Sequence, residues 1–522
     1  MNNAPPSFKF TLLLLAIPFC ASSSLSAQSR WVHFGPDGKL VYTHSPKGDR
    51  IPDFSSVGYR GGGITLPTVP AKRNISPSGQ DDTSAIQHAI DEVSALPLTD
   101  GFRGAVELTP GTFHCSQTIS ITASGVVLRG AGMTKNGTTI VMTGSPHLAL
   151  NIEGKLQQTG AGADTTIVDA YVPAGATTFH VEDASKLQSG DLLLIRKPVT
   201  ADWLHFMGMD NLRRPGKDEH WIGSDHLDVR RRIAGISGNT VTLAVPLMDS
   251  YDAKFFAGAH AEVKKINVTG QISNVGIEDL RIVAPKRTIS LDDPAFDGLA
   301  MKDAVDSWVQ SVATEETTNS IHINSGTERI TVLECDVVQH VPVTSPARPF
   351  DYSANGSQIL FDRVTGSGDH TFYFSTQARQ QGPVVIVNCR FLGDSAIQPH
   401  QRWSTGLLVD NCQVPDGSID FMNRGEMGTG HGWAIGWAVA WNNTARSFSM
   451  NEPPGTAIWS IGNRGEEIDP PFPTFDGSSR PPLDPAIIDS KNRPVQPQSL
   501  YLEQLKEHLG PAALTNIGYK SP

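Results

Sequence analysis

Cysteine is scarce in this 522-residue chain: there are five, and Cys20 lies in an N-terminal apolar run that reads as removable. The remaining four, Cys115, Cys335, Cys389 and Cys412, are too few and too scattered for a disulfide framework. Cys-x-x-Cys and His-Glu-x-x-His are both missing, which removes the common zinc signatures and leaves the metal expectation at none. Basic blocks are missing too. The net charge of −11 is spread along the chain, so nucleic-acid binding has no support. After residue 27 no apolar run is long enough to span a bilayer. Aromatic content is modest and amphipathic helical runs are few, whereas Gly (49) and Pro (36) are plentiful. That balance favours many short strands joined by turns.

The chain divides readily. Residues 1–27 read as a secretory signal, with Lys9 before the apolar run Phe10 to Phe19 and small residues up to Ala27. The expectation is an exported, soluble protein, secreted or periplasmic, acting as a monomer. Residues 28–75 are turn-rich and read as a leader packed against the body. In 76–163, Asp81-Asp82-Thr83-Ser84 supplies capping oxygens, and Ile86, Ala89, Ile90 and Val93 share one helical face. Strand runs follow directly: Ala105 to Leu108, Thr112 to Cys115, Ile119 to Ile121 and Val126 to Arg129. Residues 164–262 read as a β-rich insertion with a polar, aromatic loop carrying Trp203, His205, Trp221 and His226, a candidate lid. Residues 466–522 read as a Pro-rich tail with one helix around 499–509.

Residues 263–465 repeat. Cys335, Arg363, Cys389, Cys412 and Asn442 close similar strand segments at separations of 28, 26, 23 and 30 residues. A period in the twenties, each unit holding short strands and turns, is the mark of a β-solenoid. Stacked buried thiols acting as small hydrophobes account for the cysteines. Together, Asp-Asp-Thr-x-Ala-Ile-x-x-Ala-Ile-Asp from Asp81, the Pro-Gly-Thr-Phe turn from Pro110 and Val-x-Leu-Arg-Gly-Ala-Gly from Val126 resemble the opening of the pectate-lyase superfamily. The resemblance implies an all-β fold: a right-handed, single-stranded parallel β-helix with an N-terminal capping helix and, here, a small β-rich insertion. It leaves activity open, since one fold hosts many functions.

Candidate chemistry gathers between Asp369 and Trp433. Counted from the repeat anchors, Tyr373, His400 and Asn423 fall at equivalent places, with Arg402 two residues beyond His400 and with Arg424 and His431 nearby. The candidate catalytic set is His400, Arg402, Tyr373, Arg424 and His431. His370, Trp203, Trp403, Trp433 and Asn423 are candidates for substrate binding. Such a set suits β-elimination on a uronate-containing polysaccharide. Arginine and Asn423 would neutralise the carboxylate, His400 would take the adjacent proton, and Tyr373 or His431 would protonate the leaving oxygen. Hydrolysis needs two carboxylates roughly 5–10 Å apart. The segment Gly430-His431-Gly432 is similar to an element of polygalacturonases, but their Asp motifs are missing, and Asp369, Asp394 and Glu426 are the carboxylates available. The third reading is a non-catalytic carbohydrate-binding or adhesive solenoid using Trp403, Trp433, Trp437 and Trp441. No cofactor is fixed by the sequence, and Ca2+ is the one that stays open. Ca2+, which some lyases of this fold use, would fall to the acidic pairs Glu278-Asp279, Asp292-Asp293, Glu315-Glu316 or Glu466-Glu467.

Overall fold

The computed structural model describes residues 1, 27–212, 220–223, 225–288, 290, 293–341, 350–369, 372–475, 477–478 and 481–520. The signal segment, His370 and Asp292 lie outside the described residues.

The chain winds as a parallel β-helix whose coils contribute strands to three stacked ladders: A (such as Ser357–Asp362 on Gln381–Val387), B (such as Thr365–Ser367 on Arg390–Leu392) and C (such as Phe350–Ala354 on Phe372–Thr376). Ladder A shows why this sequence coils. Val106, Leu128, Ile277, Val309, Val332, Phe361, Ile386, Val409 and Ala440 pair in register from one coil to the next, all fully buried. No single coil can bury its own apolar face, so each residue covers the one below it. Adjacent strands lie about 4.8 Å apart, which places like residues in van der Waals contact.

Ladder A is buried on its outer face as well. Leu360, Val385, Leu408, Val439 and Trp459 pack there against the segment before the first helix and against the C-terminal segment. Burial on both faces explains the near-continuous apolar runs of these strands. The N-terminal and C-terminal segments also pair with each other, Ala27 with Val495 and Gln28 with Gln496. Helix α1 (Thr83–Ser94) caps the N-terminal opening with Ile86, Ala89, Ile90 and Val93. Its first turn is held by Asp81, whose Oδ1 accepts from the Thr83 amide and hydroxyl.

The repeat is real but its register differs from the sequence reading. Cys335, Val364, Cys389, Cys412 and Asn443 occupy one inward column, as the pairing of the residues after them shows. The anchors Arg363 and Asn442 therefore sit one residue too early. They belong with Glu334, Asn388 and Asn411 in a column with φ of 51° to 53°. Each coil turns its corner through a left-handed residue, a conformation Asn tolerates better than most. The Cys335, Cys389 and Cys412 thiols point inward at carbonyls of the preceding coil, 3.7, 3.7 and 3.5 Å away.

The insertion is a six-stranded antiparallel sheet running from Gln157–Thr166 to Glu262–Thr269, wider than the 164–262 expected. It has its own core around Phe179, Leu193, Ile195, Val241 and Val263. Coils continue to Ile487–Asp489. The tail ends in two helices, not one: α3 (Leu500–Leu509) and α4 (Pro511–Asn516), with helix α2 (Ala201–Phe206) lying in the insertion.

Candidate functional site

Where the insertion meets the coils, tryptophans form the joint. Trp203, Trp221, Trp403 and Trp433 pack with Met207, Met209 and Leu212, all buried. Trp203 stacks on Trp221 at 5.3 Å and meets Trp403 edge-on at 5.5 Å. Beneath them the buried Asp249 carboxylate accepts from Lys197 Nζ (3.0 Å), Trp403 Nε1 (3.0 Å) and Trp437 Nε1 (3.2 Å). Trp433 Nε1 donates to the Met207 carbonyl at 2.9 Å. These rings are not offered to solvent. The expectation that Trp203, Trp403 and Trp433 form a sugar platform is corrected: they fasten the insertion. Trp437 and Trp441 are buried under the tail in the same way.

Tyr373 is also misplaced by the sequence reading. Ladder C carries a register shift between Phe372 and Phe374, so Tyr373 turns inward and is fully buried. Its ring stacks on Phe391 at 5.1 Å, its hydroxyl donates to the Gly368 carbonyl at 3.2 Å, and burial pushes its pKa upward. Tyr373 is a core residue. The Tyr373–His400–Asn423 stack does not exist. Asn423 is fully buried, with Oδ1 accepting from the Gly425 amide at 2.9 Å.

Four of the five candidate catalytic residues do meet. They sit on two adjoining coils at the C-to-A corner. The His400 and His431 rings lie 4.7 Å apart, edge to face. Arg424 Nη1 donates to the His400 carbonyl at 2.8 Å. Arg402 Nη2 donates to both the carbonyl and the hydroxyl of Thr429, each at 2.7 Å. The loop that carries Arg424 and His431 is closed by backbone bonds, Arg424 N to Gly432 O at 2.8 Å and Arg402 N to His431 O at 3.0 Å. Gly428, with φ of 59°, lies so close against the His431 ring that a Cβ there would collide with it.

Three residues that sequence reasoning missed complete the cluster. Phe350 and Phe372 stack on one another at 5.1 Å, and Phe350 lies 5.2 Å from the His400 ring. The Arg424 guanidinium sits 5.5 Å over Phe372. Asp420 is buried one turn away, its Oδ2 accepting from Gln398 Nε2 and Ser418 Oγ, both at 2.9 Å. Period-two alternation could not have found the two phenylalanines, because Tyr352 and Phe374, each two residues further on, lie in the inward core while Phe350 and Phe372 stack toward His400.

The electrostatics follow from burial among cations. Desolvation, then Arg424 and Arg402, pulls His400 down to about 3. Desolvation, then Arg424, His400 and Arg402, pulls His431 down to about 2. Both imidazoles are therefore neutral at ordinary pH, and each keeps a buried Nδ1 without a hydrogen-bond partner among the described residues. Burial lowers Arg424 to about 10, with Asp420 opposing, and the guanidinium stays charged. The site is net cationic, with two uncharged ring nitrogens at its centre. Such a site favours an anion and can move a proton. Several of the acidic residues considered for Ca2+ already carry cationic partners. Glu278 is held by Arg129, Glu315 by Arg281, and Glu316 by His340. Among the described residues no three acidic, His or Cys side chains converge.

No family model matches the chain, and no curated protein matches it in sequence. Solved structures that resemble it include phage tailspikes. The tailspike protein gp49 from Pseudomonas phage LKA1 is 15% identical over 74% of this chain and 69% of that one, with a TM-score of 0.38. The Gp54 tailspike of Acinetobacter baumannii bacteriophage AP22, in complex with A. baumannii capsular saccharide, is 13% identical over 80% and 73%, with a TM-score of 0.26. A mutant tailspike protein of E. coli bacteriophage HK620, in complex with a pentasaccharide, is 10% identical over 80% and 63%, with a TM-score of 0.41. The chain thus spans roughly two thirds of each, and the likeness is one of architecture.

Proposed function

We propose that this protein is a polysaccharide lyase, exported from the cytoplasm, that cleaves a uronate-containing chain by β-elimination at the His400–His431 cluster. One observation carries the reading: two neutral imidazoles in contact, flanked by two guanidiniums. The proton beside a uronate carboxylate is weakly acidic, and withdrawing the carboxylate's charge onto Arg402 and Arg424 acidifies it. His400 takes that proton at a ring nitrogen. The electron pair forms the carbon–carbon double bond, the glycosidic carbon–oxygen bond breaks, and the leaving oxygen collects a proton from the His431 ring N–H.

An imidazole held near 3 is a weak base in the free protein. The bound carboxylate corrects this, because its negative charge offsets the guanidinium field that depresses both rings. Substrate therefore raises the basicity of the group that attacks it. Hydrolysis is less well supported, since the nearby carboxylates are engaged: Asp420 accepts two side-chain donors and Glu426 accepts the Phe475 amide at 2.9 Å.

The test is product chemistry on a panel of pectic, alginate and glycosaminoglycan polymers. Elimination leaves an unsaturated uronate that absorbs in the near ultraviolet. Absorbance from the wild type that vanishes in His400→Ala is the expected result. New reducing ends without absorbance would assign the protein to the hydrolases instead, and folded protein that releases neither product would leave only saccharide binding.

A further inference from the structure

Arg402 does not end the column of corner turns to which it belongs. Below it the same corner continues coil by coil: Arg379 N donates to Arg402 O, Gln380 Nε2 to Gly356 O, and Ser357 N to Thr327 O. Facing these turns is the insertion sheet, and between the two runs a groove of about 370 Å³. Its walls are fixed. The buried Arg231 ties the insertion to the coils through Gly382 O (2.6 Å) and Ser357 Oγ (3.3 Å), and is itself held within the insertion by Pro246 O (3.1 Å).

The polar groups in this groove are not all used. Gln380 is 2% exposed and spends Nε2 on Gly356, leaving Oε1 a buried acceptor with no donor. Gln381 is the complement: Oε1 accepts from Thr405 Oγ1 at 3.1 Å, and Nε2 is a buried donor with no acceptor. The Gln380 assignment follows from its partner, since the Gly356 carbonyl can only accept, whereas the Thr405 hydroxyl could serve either end of the Gln381 amide; in both orientations Gln381 keeps one buried polar atom to offer. The other charged residues of the lining are paired, Arg379 with Asp225, Asp228 with Arg196 and Glu328 with Arg329. Arg230 is half-buried in the same wall and has no side-chain hydrogen bond or ion pair among the described residues. An unpaired guanidinium beside one spare acceptor and one spare donor suits a chain of sugars bearing carboxylates and hydroxyls.

We propose that this groove binds the acidic saccharide chain beyond the cleavage point, with Arg230 on a uronate carboxylate and Gln380 and Gln381 on hydroxyls. The chain would lie along successive coils, about 4.8 Å each, and reach the groove one coil below Arg402. The insertion then serves as one wall of the binding cleft. This rests on the acidic-saccharide reading of the cluster, and the two are separable by experiment.

Calorimetric titration of the full protein with hexamers and dimers of galacturonate, mannuronate and hyaluronan, with maltohexaose as the neutral control, supplies the test. Arg230→Ala removes a half-buried side chain that has no polar partner among the described residues, so the fold is expected to stay intact. It is expected to weaken the bound hexamer about ten-fold while the matching dimer is unchanged. Arg402→Ala is expected to weaken both. Undiminished hexamer affinity in Arg230→Ala, with loss in Arg402→Ala, overturns the groove and spares the cluster. Loss in Arg230→Ala with none in Arg402→Ala keeps the groove and overturns the cluster. Wild type that binds no uronate hexamer, or binds maltohexaose equally well, overturns both.

Discussion

The chemistry of single residues here is set by what surrounds them, and it gives opposite pH signatures. His400 and His431 have folded pKa values far below the ordinary 6.5. Their contribution to stability is complete above about 6.5 and is lost as pH falls toward 3, because the unfolded chain binds protons that the fold refuses. Asp410 behaves inversely. It is fully buried beneath α3, where its Oδ2 accepts from Ser499 Oγ at 2.7 Å and the Tyr501 amide at 2.8 Å, and burial lifts its pKa from 3.8 to about 7. Its contribution is complete below 3.8 and is lost as pH rises through about 7. Asp410→Asn keeps an acceptor for both donors and cannot ionise. The variant is expected to match the wild-type melting temperature at pH 5 and to exceed it at pH 8; a lower value at pH 8 would show that the carboxylate is needed charged. At the cluster, Arg424→Gln removes one of the two cations that would meet the carboxylate. Turnover should fall by about 10²-fold or more, as when a single charge-stabilising donor is deleted elsewhere. Undisturbed turnover in steady-state kinetics would remove Arg424 from the reaction.

Among the elements, the insertion bears most on the proposed cleft, and its attachment is local. The tryptophan joint and Asp249 hold one end and Arg231 the other. Trp203→Ala empties a buried site in the joint, at a cost of about 3–5 kcal/mol by analogy with other large-to-small changes. Because the insertion has its own core, the loss should appear as local opening. Hydrogen exchange would rise across 200–212 and 220–222 while the coil strands stay protected. Uniform loss of protection would mean that insertion and coils unfold as one unit. The corner loop 423–433 is a second such element. Gly428→Ala should displace the His431 ring and lower turnover without lowering the melting temperature as much as a core change does.

The whole molecule was legible in outline because a solenoid writes its period into the sequence. The coils and the inward thiols follow from spacing and apolar alternation, and the capping role of the first helix from the resemblance carried by the motifs from Asp81, Pro110 and Val126. Native Cys115, Cys335, Cys389 and Cys412 are all buried and unpaired, so a thiol reagent should label them only on unfolding; rapid labelling of the native protein would contradict the stacked column. Register was less legible than period. A one-residue slip at Arg363 and a bulge at Tyr373 are invisible to spacing, and each moves a side chain from one face to the other. The tryptophans misled for another reason. A buried joint and a sugar platform use the same residue, and only the packing partner tells them apart. His400, Arg402, Arg424 and His431 were found because they lie within one short stretch, whereas Phe350 reaches the site from two coils away.

The most direct measurement is the titration of the His400 and His431 ring resonances by NMR, each assigned through its Ala variant, without and with a uronate hexamer. The account predicts that neither imidazole protonates above pH 5 in the free protein, and that both pKa values rise when the hexamer binds. An imidazole titrating near 6.5 in the free protein, or rings indifferent to the hexamer, would contradict a neutral pair held between guanidiniums as the reacting centre.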